Sequence, residues 1–199
     1  MKTAAVTIMM LLAGAAARPQ AIPSAEARKV AVCLERGSIT AGEAWSARAI
    51  ASEIFASIGV TVVWKDPRKC PGGAIFVGVS QKTPATLRPG ALAYALPYEG
   101  VHIEVFYDRI SQSCPRDEAQ VVLGYVLVHE ITHILEGIDR HSEGGLMKAH
   151  WEKADFFAMR RNSLRFAAED IRLIYLGLDG RSHASMLALN RKPVPVAAR

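Results

Sequence analysis

The sequence predicts a single mixed α/β domain, and three observations carry that expectation. Short apolar runs rich in β-branched residues recur between turn signals. A helix-periodic stretch separates the first run from the second. A long helix, apolar on almost every side, follows the last run. The chain has 199 residues, half of them apolar, which is enough for one sizeable core, and it shows no internal repeats.

In chain order, Val30 to Leu34 is a short apolar run that reads as a strand. Thr40, with Glu43 three residues on, forms a capping box, in which a hydroxyl and a carboxylate satisfy the first free N–H groups of a helix. Ala44, Ala47, Ile50, Ala51, Ile54, Phe55 and Ile58 continue at helical spacing, and Gly59 closes that helix. Val60 to Lys65 and Ala74 to Val79 read as strands around a Pro/Cys/Gly loop at Asp66 to Gly73. Gln81 to Gly90 is a loop, Ala91 to Leu96 a short edge strand, and Val101 to Tyr107 a further strand. Pro115 suits the first turn of a helix. That helix, Asp117 to Glu136, carries apolar residues all round its circumference, so it is expected to cross the centre of the domain. Gly137 ends it. A polar loop runs to Lys148, and one or two helices cover Trp151 to Leu176. From Asp179 to Arg199 no pattern is visible, and poor order is expected.

Lys2 precedes an apolar run from Ala4 to Ala17 that is too short to span a bilayer. It reads as a secretory signal over residues 1–17, cut before Arg18 or as late as residue 27. The expectation is therefore a secreted or periplasmic protein without stable membrane association, its catalytic domain at 28–176 and a tail at 177–199. The formal charge of +5 falls to +4 with Lys2 removed, an ordinary surplus. Arg160, Arg161 and Arg165 are its densest part and match no nucleic-acid motif, so a nucleic-acid partner is not expected. Of the three cysteines, Cys70 and Cys114 sit in loop-like contexts and are expected to pair, leaving Cys33 buried and inert. No Cys-x-x-Cys pair offers a thiolate metal site.

The chemistry concentrates in His129-Glu130-Ile131-Thr132-His133. On a helix, residues four apart share a face, so both imidazoles can reach one ion. Glu130 is turned about 100° away and can address a water held by that ion. Metal-assisted hydrolysis needs that division of labour: the ion acidifies water and polarises a carbonyl while the glutamate moves the proton. Two histidines and a glutamate are also costly in so apolar a helix unless a metal or hydrogen bonds offset them. A catalytic zinc wants a third protein ligand and an open position. Asp139, His141 and Glu152 are the candidates; His141 is preferred, because neutral imidazole is the commonest zinc ligand and its loop is tethered to the motif helix.

The stretch His129-Glu130-Ile131-Thr132-His133-Ile134-Leu135-Glu136-Gly137-Ile138-Asp139-Arg140-His141-Ser142, followed by Gly145-Leu146-Met147, resembles the metzincin clan of zinc metallopeptidases, most closely its matrixin-like branch. The resemblance implies an α/β (α+β) zincin domain: a twisted mixed sheet with an antiparallel edge strand, a buried active-site helix, a Met-turn and a C-terminal helix. It also implies one catalytic Zn2+ on His129, His133 and His141, with Glu130 as general base and Met147 beneath the metal. The clan leaves two residues between the second histidine and the glycine, and two more before the third ligand; this chain has three in each gap. Strict counting would place the third ligand on Asp139 instead.

The function expected is a secreted zinc endopeptidase acting on protein or peptide. The alternatives are a zinc-binding module without proteolytic activity, or a zinc amidase acting on cell-wall peptides. An edge strand at Ala91 to Leu96 is a natural place for an extended peptide to pair. His102 reads as a strand-face residue, Tyr94 and Tyr98 as aromatic packing, and His150 and Trp151 as anchors of the following helix.

Overall fold

The computed structural model describes residues 28–87, 90–95 and 101–190, with side chains as far as residue 183. The expected signal segment (1–17, or to 27), Leu96, Tyr98 and residues 191–199 lie outside the described residues. The elements are β1 (Lys29–Glu35), α1 (Ala41–Ser57), β2 (Thr61–Lys65), a 3-10 turn (Pro67–Lys69), β3 (Ile75–Ser80), β4 (Ala93–Ala95), β5 (His102–Phe106), α2 (Tyr107–Ser113), α3 (Ala119–Glu136), α4 (Lys153–Arg160) and α5 (Ala168–Asn190).

The strands form one mixed sheet in the order β2-β1-β3-β5-β4. All neighbours are parallel except β4, which runs antiparallel to β5 at the edge and pairs Ala93 with Val105. Val30, Val32 and Leu34 of β1, Ile75 and Val77 of β3, and Ile103 and Val105 of β5 are all buried in the core. Alternation along a strand puts each of these sets on one face. The helix α1 starts where the capping box placed it. Thr40 Oγ1 accepts from the Glu43 amide at 3.1 Å, and the Glu43 carboxylate accepts from the Thr40 amide at 2.7 Å. The Tyr107 hydroxyl donates to the same carboxylate, tying the start of α2 to the start of α1.

The helix α3 packs against α1, α2, α4, α5 and the sheet edge, which is why it is apolar all round. Its approach to α1 is close: a Cβ on Gly124 would lie 2.8 Å from the Ile50 side chain. Any larger residue there would push the two helices apart. No helix among the described residues is long and apolar enough to cross a membrane.

Three expectations need correction. The disulfide joins Cys33 to Cys70, with Cα atoms 5.9 Å apart, and Cys114 is the free thiol. Cys33 is as buried as expected but not inert. It sits one residue out of phase with the core-facing Val32 and Leu34, so its side chain leaves by the opposite sheet face. The 3-10 turn after β2, the parallel neighbour of β1, brings Cys70 there. Second, α2 occupies a stretch that had no helical reading; it is one short, mostly polar segment without a side-chain cap. Third, α5 continues to Asn190, past both the 176 boundary and the start of the expected unpatterned tail.

The Cys33–Cys70 bridge closes a segment of 37 residues. By chain entropy its removal is expected to cost about 3–4 kcal/mol. Denaturant melts of Cys70→Ala against the parent measure this, and thiol titration of the unfolded, unreduced parent is expected to give one free thiol.

Candidate metal centre

His129 and His133 lie one turn apart in the buried last half of α3, and both are buried. Each is oriented by a backbone carbonyl. His129 Nδ1 lies 3.2 Å from Leu146 O, and His133 Nδ1 lies 3.3 Å from Ile138 O. A carbonyl only accepts, so each ring carries its proton on Nδ1 and presents a lone pair at Nε2. The two Nε2 atoms face each other at 3.1 Å. Two lone pairs at that distance repel unless a cation lies between them and solvent. His141, exposed on the loop after α3, completes the group, its ring centroid 4.9 Å from that of His133 and 5.3 Å from that of His129. The three ligand atoms all lie within 4.8 Å of one another.

These residues could hold a metal ion, and the donor set fits zinc. Four-coordinate zinc with bonds of about 2.0–2.1 Å to nitrogen sets ligand nitrogens roughly 3.3 Å apart. Burial, with His133 alongside, pushes His129 down to about 3. Burial also lowers His133 and His141. Three imidazoles held neutral at pH 7 are three free lone pairs. Glu130 is buried beside them, and its carboxyl is pushed up to about 8 by burial and then by the charge of Asp139. A cation at the imidazoles acts in the opposite sense, favouring the ionised carboxylate.

The other two third-ligand candidates stand elsewhere. Asp139 is exposed and outside the convergent group. Glu152 caps α4, and its largely exposed carboxylate pairs with Lys148 at 3.9 Å. Met147 is fully buried, in a turn closed by Ser142 N donating to Met147 O at 2.8 Å. The turn needs Gly145, whose φ is +77° and whose Cβ would lie 2.7 Å from Arg165 O. Leu146 N donates to that same carbonyl at 2.9 Å, docking the turn on the segment before α5.

A cleft of about 780 Å³ opens over the site. It is lined by residues 90–93, which lead into β4, by Lys148 to Trp151 and Phe156, and by His129, Glu130 and His141. Trp151 does more than anchor the next helix. Its indole stands edge-on to His129 at 5.5 Å, and its N–H donates to Leu146 O at 3.0 Å, the carbonyl that also orients His129. His102 lies on the sheet face with Phe76, 6.2 Å between rings, and Tyr94 packs on Phe106 at 5.9 Å, as expected for both. Sequence reasoning passed over Asp170, fully buried in the first turn of α5 and bonded to Arg140 and Ser142, either side of His141. Its one local signal is its position three residues after Ala167, whose amide it caps at 3.1 Å.

No protein-family model matches the sequence. No curated protein matches it either. Among solved structures, the chain is similar to archaemetzincin from Methanopyrus kandleri, with a TM-score of 0.56 and 16% sequence identity over 79% of this chain and 99% of that one. The likeness is one of fold, and the fold is that of a metzincin-type zincin domain.

Two outcomes follow from this geometry. Replacing His141 by Ala is expected to weaken zinc binding by more than the roughly 10–100-fold typical of an outer-shell partner. Asp139→Ala is expected to bind as the parent does, and chelator competition on the two variants checks both. The second outcome concerns Glu136, both of whose carboxylate oxygens are buried without a hydrogen-bond partner among the described residues. Burial, then Asp170, pushes it up to about 7. The folded value lies above the unfolded one, about 4.3, so its contribution to stability is full below that pH and is lost as pH rises through about 7. The melting temperature of Glu136→Gln relative to the parent should therefore climb between pH 4.5 and pH 8; a flat difference across that range contradicts the burial account.

Proposed function

We propose that the chain is a zinc-dependent endopeptidase of the matrixin-like metzincin type, exported from the cell and acting on protein or peptide. The observation that carries this reading is the convergence of three neutral imidazole lone pairs, two of them on residues that line an open cleft, with the buried Glu130 beside them. Zinc bound by His129, His133 and His141 would supply a Lewis acid for the scissile carbonyl and bring the pKa of a coordinated water towards about 7. Glu130 takes a proton from the attacking water and passes it to the departing amine, so that water and peptide become one carboxylate and one amine. Leu146 O and Ile138 O hold the imidazoles in the tautomer that leaves Nε2 free. The edge strand β4, at the margin of the sheet beside the cleft, offers an extended substrate backbone hydrogen bonds. Trp151 and Phe156 give the cleft lining an apolar character suited to a substrate side chain.

Export rests on the signal-like residues 1–17 and on the Cys33–Cys70 disulfide, a bond that persists in oxidising compartments. A zinc-binding module without catalytic activity has no use for Glu130, whose carboxylate is costly to keep in a buried helix. A cell-wall amidase would share the same metal chemistry and differs in what the cleft accepts.

The test is Glu130→Gln. It is expected to retain zinc while hydrolysis falls by about 10²–10⁴-fold, the usual contribution of a positioned acid–base group. A variant that cleaves as fast as the parent removes Glu130 from the mechanism. Casein, gelatin and cell-wall fragments, each with and without chelator, separate peptidase from amidase, and no turnover of any of them points to the binding module.

A further inference from the structure

His141 differs from the other two imidazoles in what holds it. His129 and His133 are fixed by the buried helix α3, whereas His141 is exposed on a loop without regular secondary structure. Ile138 O is engaged by His133 at the near end of this loop, and Leu146 N is anchored on Arg165 O at the far end. Between those points the loop is gripped from outside on both sides of His141 by a single carboxylate. Asp170 Oδ1 accepts from Arg140 Nη1 at 3.0 Å and from the Ser142 hydroxyl, and Arg140 Nη1 also reaches Ser142 Oγ at 3.3 Å. Asp170 Oδ2 accepts from Ala167 N at 3.1 Å, so the other oxygen is spent on its own helix. The side chain of Asp170 is wholly excluded from solvent, while that of Arg140 is 31% exposed. A carboxylate so placed is held by its donors and has no water to turn to.

The helix that carries Asp170 is itself fixed relative to the motif helix. A Cβ on Gly177 would lie 1.6 Å from Leu135 O, so α5 rests backbone to backbone on the last turn of α3. A continuous path therefore runs from His129 and His133, through α3 and α5, to Asp170 and back to the residues flanking His141. We propose that Asp170 is a positioning residue for the third imidazole. By holding Arg140 and Ser142 it fixes the loop that presents His141 to the other two, and so sets the affinity of the site for its ion. This inference rests on the reading that the three imidazoles hold zinc. Asp170 touches neither ion nor substrate in this role; it removes the freedom of the loop before the ion arrives, so that the ordering cost is not taken from binding.

The experiment is zinc affinity by chelator competition on the full chain, for the parent, Asp170→Asn, the pair Arg140→Ala with Ser142→Ala, His141→Ala, and His141→Ala with Asp170→Asn. The loop-side pair leaves Asp170 free to cap α5, so it separates loop positioning from helix stability. Asp170→Asn and the loop-side pair are each expected to weaken zinc about 10–100-fold. In the His141→Ala background, Asp170→Asn is expected to cause no further loss, because there is no third imidazole left to place. The visible bands of the cobalt-substituted Asp170→Asn protein should shift towards those of His141→Ala. An equal loss in both backgrounds would mean that Asp170 acts on general stability, and the proposal falls. If the parent binds zinc tightly and Asp170→Asn and the loop-side pair match it, the proposal falls while the metal reading stands. If the parent binds no zinc, both fall together. Should Asp170→Asn fail to fold, the loop-side pair decides by the same criterion.

Discussion

The two Nε2 lone pairs of His129 and His133, aimed at each other inside an apolar helix, are the constraint on which the rest of the site depends. Each ring nitrogen on the far side is already committed to a carbonyl, so neither imidazole can turn its proton inward without losing a buried hydrogen bond. Desolvation keeps both rings neutral. The arrangement is costly by itself and becomes favourable with a shared cation. The sheet, α1 and α5 surround α3 and give it that desolvating environment. The same packing that makes α3 a core element thus prepares its histidines as ligands.

Around that pair the structure uses backbone where it needs rigidity. Leu146 O serves His129 and Trp151 together, so the position of the turn carrying Met147, the orientation of the first imidazole and an aromatic residue lining the cleft are linked at a single atom. That turn is in turn docked on Arg165 O, three residues before the start of α5. A carbonyl fixed by the turn's own hydrogen bonds is a stiffer orienting group than a side chain with rotatable bonds.

Much of this was legible in the sequence because it is local. The capping box at Thr40 and Glu43, the all-round apolar run of α3, its end at Gly137 and the four-residue spacing of His129 and His133 each depend on residues close in the chain, and each stands where the pattern placed it. What escaped depends on contacts distant in sequence. Cys33 looked like one more apolar strand residue, and which face it used became visible only with the register of β1 against β2. Asp170 is one carboxylate among several near a helix start; its grip on Arg140, thirty positions away, has no local signature. The helix α5 also runs beyond 176, and its close backbone approach to α3 at Gly177, against Leu135, is a contact distant in sequence.

The longer spacing around Gly137 can be understood from the same geometry. Counting as in the metzincin pattern places the third ligand on Asp139, but Ile138 O is already engaged on the Nδ1 side of His133. The third donor must approach from the Nε2 side, across the width of the ring. One residue of chain spans at most about 3.3–3.6 Å, and Asp139, directly after Ile138, is exposed and outside the convergent group. Two further residues carry the chain round, and His141 arrives beside the other two imidazoles. In this loop a backbone carbonyl orients the second histidine, and a side chain three residues further on joins it. Arg140 and Ser142 of this loop are the residues that Asp170 of α5 holds.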